Sequence, residues 1–313
     1  MRNAFADEIT KLASENEKIV LLSGDIGNRL FNTFKEKCGE RFFNCGVAEA
    51  NMTGVAAGLA LSGMRPVTYT ITPFLTTRCL EQIKLDVCYH NLPVIIVGVG
   101  SGLSYAGLGA THHSFEDLSL LRTFPNMTVV APADVWEVRA ALREAFKHNG
   151  PVYIRIGKKN EPVIHEKMPD FSFGKVIIVK PGNDACIIST GNMLPTAIEA
   201  AEKLEKQNVS TQVVSMHTIK PLDDDFLKTA FNKFNKILTI EEHSLIGGAG
   251  SAIAEWLIDN KIKTAVKLIR LGIKDEFLHE AGGQNFAREQ LGLTADNIVK
   301  RLTTEGHWKT QKK

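Results

Sequence analysis

Three kinds of side chain in this 313-residue chain stand where chemistry could be done. The first is Glu49, within CGVAEANMTGVAAGLALSGMRP (45–66). A strand over 41–45 turns at Gly46 into a helix, and Glu49 falls in that helix's first turn. It either complements the positive end of the helix dipole or offers a carboxyl group to a ligand. The second is the pair His112 and His113, which follows the glycine-rich run GLSYAGLGAT (102–111). That loop lies beyond the carboxyl end of a strand over 93–100, where open α/β sheets bind ligands. Adjacent histidines do not easily share one metal, and no further ligand set has suitable spacing, so no metal site is predicted. A loop histidine that moves a proton is the functional alternative. For His113, a bond to backbone or a cap on the helix near 115 is equally open. The third is Asp25 in SGDIGNRLF (23–31), either a turn residue or a group at the ligand-facing end of the first strand. The glycines here make no dinucleotide fingerprint, and the chain has no Walker A sequence. EEHSLIGGAGSAIAE (241–255) has a similar strand, glycine turn and helix start. Tight packing is expected there over anion binding, because no acidic ribose-binding residue follows at the needed distance.

The elements that must position these groups alternate regularly. Short β-branched runs over 18–23, 66–71, 93–100, 127–132 and 151–156 interleave with helical stretches over 47–62, 75–90, 115–123 and 134–148. Such alternation means parallel strands with crossover helices, hence layered α/β architecture. Proline marks several borders, at Pro66, Pro93, Pro132 and Pro151. The pattern lapses over KKNEPVIHEKMPDFSF (158–173), read as a linker. It resumes with strands over 184–190, 210–216, 236–242 and 266–271 and helices around 193–207, 224–233 and 247–259. Two short helices close the pattern before GHWKTQKK, which reads as frayed. The expectation is two α/β domains, 1–157 and 174–313, joined by the linker 158–173.

Composition narrows the function classes. A 44% hydrophobic and 23% charged chain is globular, and 37 basic against 35 acidic residues leave a formal charge of only +2. No basic stripe with interleaved aromatics marks a nucleic-acid partner. The apolar runs fall far short of a membrane span, and the amphipathic first eighteen residues lack a secretory signal's apolar centre. Five cysteines without CxxC spacing fit a reducing compartment rather than a disulfide framework. The expected location is the cytoplasm.

Several of these segments, in order, resemble the transketolase family in its split form, in which one enzyme is divided between two chains. GVAEANMTGVAAGLALSGMRPV is similar to its glutamate helix and FLTTRCLEQIKLDVC (74–88) to the next helix. GATHHSFEDLSLLRTFPNMTVVAPAD is similar to its histidine loop and following strand. VVSMHTIKPLDDDFL (213–227) and the 241–255 segment resemble deoxyxylulose-phosphate synthases and the β subunits of 2-oxoacid dehydrogenases. The match runs from the N-terminal helix to about Leu302 and is to the C-terminal section: a pyrimidine-binding domain with a mostly parallel sheet, then a transketolase C-terminal domain.

The resemblance implies a thiamine-diphosphate enzyme. Glu49 aligns with the glutamate that hydrogen-bonds N1′ of the cofactor's aminopyrimidine, and Phe74 with the ring stacked on that pyrimidine, the alternative being a core phenylalanine. Asp25 matches an aspartate near the pyrimidine end. His112 matches a substrate-facing histidine that assists proton transfer. Lys158 falls where transketolases often carry a phosphate-binding arginine, the alternative being a solvated linker lysine. Two departures stand out. The chain has no GDG…N motif, so the resemblance implies that a diphosphate-binding N-terminal partner holds the Mg2+ and diphosphate, as a heterotetramer of two copies of each chain. The family's acidic pair in the glycine loop is also missing from the run Tyr105, Ala106, Gly107, Leu108, Gly109, and its upstream substrate histidine is replaced by Gly100. The implied reaction moves a two-carbon ketol unit from a ketose or ketose phosphate to an aldose. The altered loop motivates an alternative, acetyl or acyl transfer from a 2-oxoacid such as pyruvate. A non-catalytic scaffold is a third reading, against which Glu49 and His112 speak.

Overall fold

The computed structural model describes residues 1–27, 29–262 and 264–304. The first half forms α1 (Arg2–Glu15), β1 (Ile19–Ser23), α2 (Asn32–Cys38), β2 (Phe42–Asn44), α3 (Glu49–Leu61), β3 (Arg65–Ile71), α4 (Thr72–Leu75), α5 (Leu80–Gln82), β4 (Ile95–Val99), α6 (Asp117–Arg122), β5 (Thr128–Val130), α7 (Val135–Lys147) and β6 (Val152–Ile156). The second forms β7 (Ile177–Lys180), β8 (Ala185–Ser189), α8 (Leu194–Glu205), β9 (Thr211–Ser215), β10 (Thr218–Lys220), α9 (Asp224–Lys233), β11 (Lys236–Ser244), α10 (Ala249–Asp259), β12 (Lys267–Ile273), α11 (Gln284–Gln290) and α12 (Ala295–Thr304).

Two sheets result, ordered β10-β5-β6-β4-β3-β1-β2 and β12-β11-β8-β9-β7. All pairings are parallel except β10 with β5 and β7 with β9. Every residue of β1, β4 and β6 is buried, as strands covered by helices on both faces require. One face of the first sheet packs on α1, α2 and α7. The other packs on α3 and the 75–92 segment, and its core continues into the second sheet through Cys186, Ile188, Val214 and Ile237. This is the expected pair of α/β domains with mostly parallel sheets. GHWKTQKK lies outside the described residues.

Several elements depart from the expectation, the unanticipated helix α2 among them. β7 and β10 were not anticipated. Each is three or four residues long and has no periodicity of its own. β10 belongs by sequence to the second half yet borders the first sheet, pairing Thr218 with Val130. The helix expected over 75–90 is broken. α4 carries Pro73 near its start, and after α5 the chain widens into π-helical turns over Ile83–Tyr89. Arg78 N–H reaches back five residues to the Pro73 carbonyl, and Thr76 Oγ1 donates to the Thr72 carbonyl at 2.8 Å. Widened turns of this kind re-aim side chains and recur at functional sites. Among the described residues no helix is long and apolar enough to cross a membrane.

Candidate active site at the carboxyl ends of the first sheet

Each candidate residue stands just past the carboxyl end of one of five neighbouring parallel strands. Lys158 follows β6, His112 follows β4, Phe74 follows β3, Asp25 follows β1 and Glu49 follows β2. Sites of open α/β sheets form at this edge because the strand ends splay and the loops above them are free to vary.

Glu49 is 3% exposed. Its Oε2 accepts from Arg78 Nη1 at 2.7 Å. Its Oε1 lies on the side of Gly24, where an added Cβ would come within 3.7 Å of it and 2.7 Å of Thr70 Oγ1. Thr70 Oγ1 is itself buried without a hydrogen-bond partner. A glycine at 24 and a shielded acid beside an unsatisfied hydroxyl are what close approach of a flat polar ligand requires.

Arg78 extends the constellation: its guanidinium lies 4.4 Å from the centre of the half-buried Phe74 ring. Phe74 in turn meets His112 edge-on, with centroids 5.2 Å apart. His112 faces Tyr105 at 6.1 Å, and Lys158 Nζ sits 4.5 Å above the Tyr105 ring. Glu49, Phe74, His112 and Lys158 are therefore joined, but only through Arg78 and Tyr105, which sequence reasoning did not single out as site residues. The signal for Arg78 was its position one helical turn after Phe74. For Tyr105 it was an aromatic residue inside a glycine loop that has also lost the side chain at 100. Asp25 stands apart from this chain of contacts. It is exposed and accepts from Asn44 Nδ2 at 3.2 Å.

Burial, and then the neighbouring His113, hold His112 below the usual histidine range, so it is neutral at pH 7. Its Nδ1 meets Thr111 Oγ1 at 2.9 Å. His113 takes the backbone alternative. It is buried, with Nε2 3.1 Å from the Ala106 carbonyl, and stacks on Phe115.

The loop that carries Tyr105 and His112 is fastened from the second domain. Glu242 is completely buried, and its Oε2 accepts from Leu103 N–H at 3.1 Å and Asn192 Nδ2 at 3.0 Å. Its Oε1 accepts from Arg288 Nε at 2.6 Å and Gln284 Nε2 at 3.0 Å. Gly102, at φ +58°, leaves room for that carboxylate; a Cβ there would lie 2.4 Å from Oε2. At the loop's far end Arg155, buried with Asp117 at 2.8 Å, donates to the carbonyls of Ser114 and Glu242. The histidine loop is thus held by buried charges at both ends and touches both domains.

A mostly parallel α/β domain with a shielded carboxyl at the carboxyl edge of its sheet, followed by a second α/β domain, is the two-domain arrangement of the chain. Residues 1–163 match the transketolase pyrimidine-binding domain and residues 174–298 the transketolase C-terminal domain. The chain belongs to the transketolase family. It is 38% identical over 301 residues to the 6-deoxy-6-sulfo-D-fructose transketolase subunit SqwH of Clostridium sp. (strain MSTE9), covering 96% of this chain and 92% of that one. It is 35% identical over 308 residues to a putative transketolase C-terminal section from Methanocaldococcus jannaschii, covering 97% and 96%. Among solved structures, a split-gene transketolase described as an inactive β4 tetramer superposes with a TM-score of 0.87 at 35% identity, covering 96% of both chains.

Proposed function

We propose that this chain is the C-terminal subunit of a two-chain transketolase. With a diphosphate-binding N-terminal partner it moves a two-carbon ketol unit from a ketose, or ketose phosphate, to an aldose acceptor. The observation that carries this reading is the shielded Glu49 carboxyl, placed between Gly24 and Arg78 and linked through Arg78 to Phe74, and through Phe74 to His112. When bound, thiamine diphosphate supplies a nucleophilic carbon and an electron sink for breaking a bond next to a carbonyl.

The chain's own residues would act around it. Glu49, removed from water, would hold a proton at the ring nitrogen N1′ of the aminopyrimidine, and its burial keeps that proton from exchanging freely with solvent. Phe74 offers its ring as a stacking surface, and Asp25 stands at the rim past β1. His112, neutral at pH 7, is free to accept a proton from a substrate hydroxyl. The Lys158 ammonium provides a cation for a phosphate or other anionic substituent. Mg2+ and the diphosphate are assigned to the partner, because the sequence has no GDG…N motif. The assembly we propose contains two copies of each chain. The inactive β4 tetramer of the similar split-gene protein supports the idea that this half is not sufficient alone. The cytoplasm is the proposed location, in keeping with five unpaired cysteines.

One observation favours a second donor class. At the positions of the family's acidic pair stand Gly107 and Leu108, and Leu108 is 57% exposed, so an apolar surface replaces two carboxylates. Incubating the reconstituted pair with xylulose 5-phosphate and an aldose, and separately with pyruvate and the same aldose, tests both. Ketol transfer from the ketose is expected. Product from pyruvate alone would replace the reading with acyl transfer.

A further inference from the structure

The glycine at 100 and the tyrosine at 105 are two halves of one change. Gly100 sits at the carboxyl end of β4 with φ +77°, and a Cβ built on it would lie 1.8 Å from Cε2 and 2.2 Å from Cδ2 of Tyr105. The tyrosine ring therefore occupies the volume into which any side chain at 100 would grow. The ring is also held on its other sides. Lys158 Nζ stands over it at 4.5 Å, and His112 meets it at 6.1 Å. The surface that the ring turns toward His112 is aromatic carbon.

We propose that Tyr105 is a specificity-determining residue of the transfer site, a fixed aromatic wall that restricts the part of the donor lying beyond the bond to be broken. The proposal rests on the ketol-transfer reading above and deepens it. A wall of aromatic carbon hydrogen-bonds no hydroxyl, so donors with a short or sparsely hydroxylated leaving portion fit and long polyhydroxylated ones are disfavoured. In hydrophobic pockets, volume changes of a methylene or so alter kcat/KM by about 10-fold to 200-fold, and removal of a ring exceeds that change in volume.

Hydroxypyruvate and xylulose 5-phosphate deliver the same two-carbon unit but differ in what they release, carbon dioxide in one case and an aldose phosphate in the other. In the complex with the diphosphate-binding partner, the ratio of kcat/KM for xylulose 5-phosphate to that for hydroxypyruvate reads how the site treats that released portion. Tyr105→Ala is expected to raise that ratio by at least about 10-fold. Tyr105→Phe, which keeps the ring and loses only the hydroxyl, is expected to leave it within about twofold. Turnover of hydroxypyruvate with a ratio that Tyr105→Ala does not move overturns the proposal and spares the transfer reading. A ratio moved equally by Tyr105→Phe also overturns it, because the hydroxyl and not the ring would then be responsible. Failure of the wild-type complex to use either donor overturns the transfer reading and the proposal together. Near-ultraviolet circular dichroism and thermal unfolding of each variant identify misfolding, and Tyr105→Leu, which keeps the loop's apolar anchor but not the ring, replaces Tyr105→Ala if the latter does not fold.

Discussion

Two corners of this molecule share one plan, a strand, a glycine turn and a helix start at the carboxyl edge of a parallel sheet. They differ in what happens to their polar groups. At the edge of the first sheet, among the described residues, Glu49 has a single charged partner, Arg78, whose side chain is 44% exposed, and a buried Thr70 hydroxyl has no hydrogen-bond partner. At the end of β11 every acid is consumed within the fold. Glu241 accepts from the N–H groups of Ala249 and Gly250 at 2.7 and 2.9 Å, so the start of α10 is already occupied by a carboxyl group of β11. The glycines there serve packing, as expected: a Cβ on Gly248 would lie 2.2 Å from Glu241 Oε2, and one on Gly250 2.7 Å from Thr239 Oγ1. Buried hydroxyls without a partner occur at both corners, Thr70 at one and Thr239 at the other, so the carboxyl groups are what separate a site from a joint: Glu241 and Glu242 are tied down by several donors inside the fold, whereas Glu49 relies on a half-exposed arginine.

The contrast can be broken by exchanging carboxyl for amide or methyl at each corner. Glu49→Gln is expected to lower kcat of the reconstituted complex by about 10²–10⁴-fold, with little change in the melting temperature of the chain alone, since Arg78 can turn to solvent. Steady-state kinetics and thermal unfolding measured together decide it, and a loss of stability to match the loss of activity would move Glu49 to the structural side. Glu242→Ala is expected to do the reverse in origin. It leaves Arg288 and the Leu103 N–H without their acceptor and costs about 3–5 kcal/mol by denaturant unfolding. Any activity lost should follow from the slackened loop.

Acid provides a sharper view of the joint. Burial pushes His243 and His217 down to about 4, and His243 uses its unprotonated Nε2 to accept from Ser119 N–H at 3.4 Å while Nδ1 faces the Ser244 carbonyl at 2.8 Å. The unfolded chain takes up protons near 6.5 and the folded one only near 4. Stability is therefore intact above pH 6.5 and is lost progressively as pH falls toward 4, by up to ~3 kcal/mol per histidine. Urea titrations from pH 7 to 4 measure this, and His243→Gln should flatten the curve. At the site, His112 is also held neutral, so the acid limb of kcat should lie below the ordinary histidine range, and His112→Asn should remove it. The smallest effect is expected at the rim. Asp25→Asn keeps the geometry of an exposed group and should change stability by no more than ~0.5 kcal/mol, so any larger change in cofactor affinity would report a direct contact.

Much of this was legible without coordinates. Strands rich in β-branched residues, the glycine turn before Glu49 and the loop after the 93–100 strand pointed to one edge of the first sheet for the candidate groups, and they stand there, because parallel strands place every such loop on one side. His113 was readable only as an alternative, since backbone bonding depends on where the Ala106 carbonyl falls. Arg78 and Tyr105 were not legible as site residues. One depended on a widened turn that sequence periodicity smooths over, and the other on a ring moving into space left by a glycine five residues away.

The amino-acid sequence by itself determined the family, the two α/β domains and the set of strand ends that carry the candidate groups, since periodicity and ordered motifs are local properties of the chain. Only the tertiary structure decided which of those groups meet, that β10 crosses to the first sheet, and that Glu242 of the second domain secures the loop of the first. These contacts join separate segments of the chain, from 29 residues apart for Glu49 and Arg78 to 139 for Glu242 and Leu103, and no local pattern encodes the distance between them.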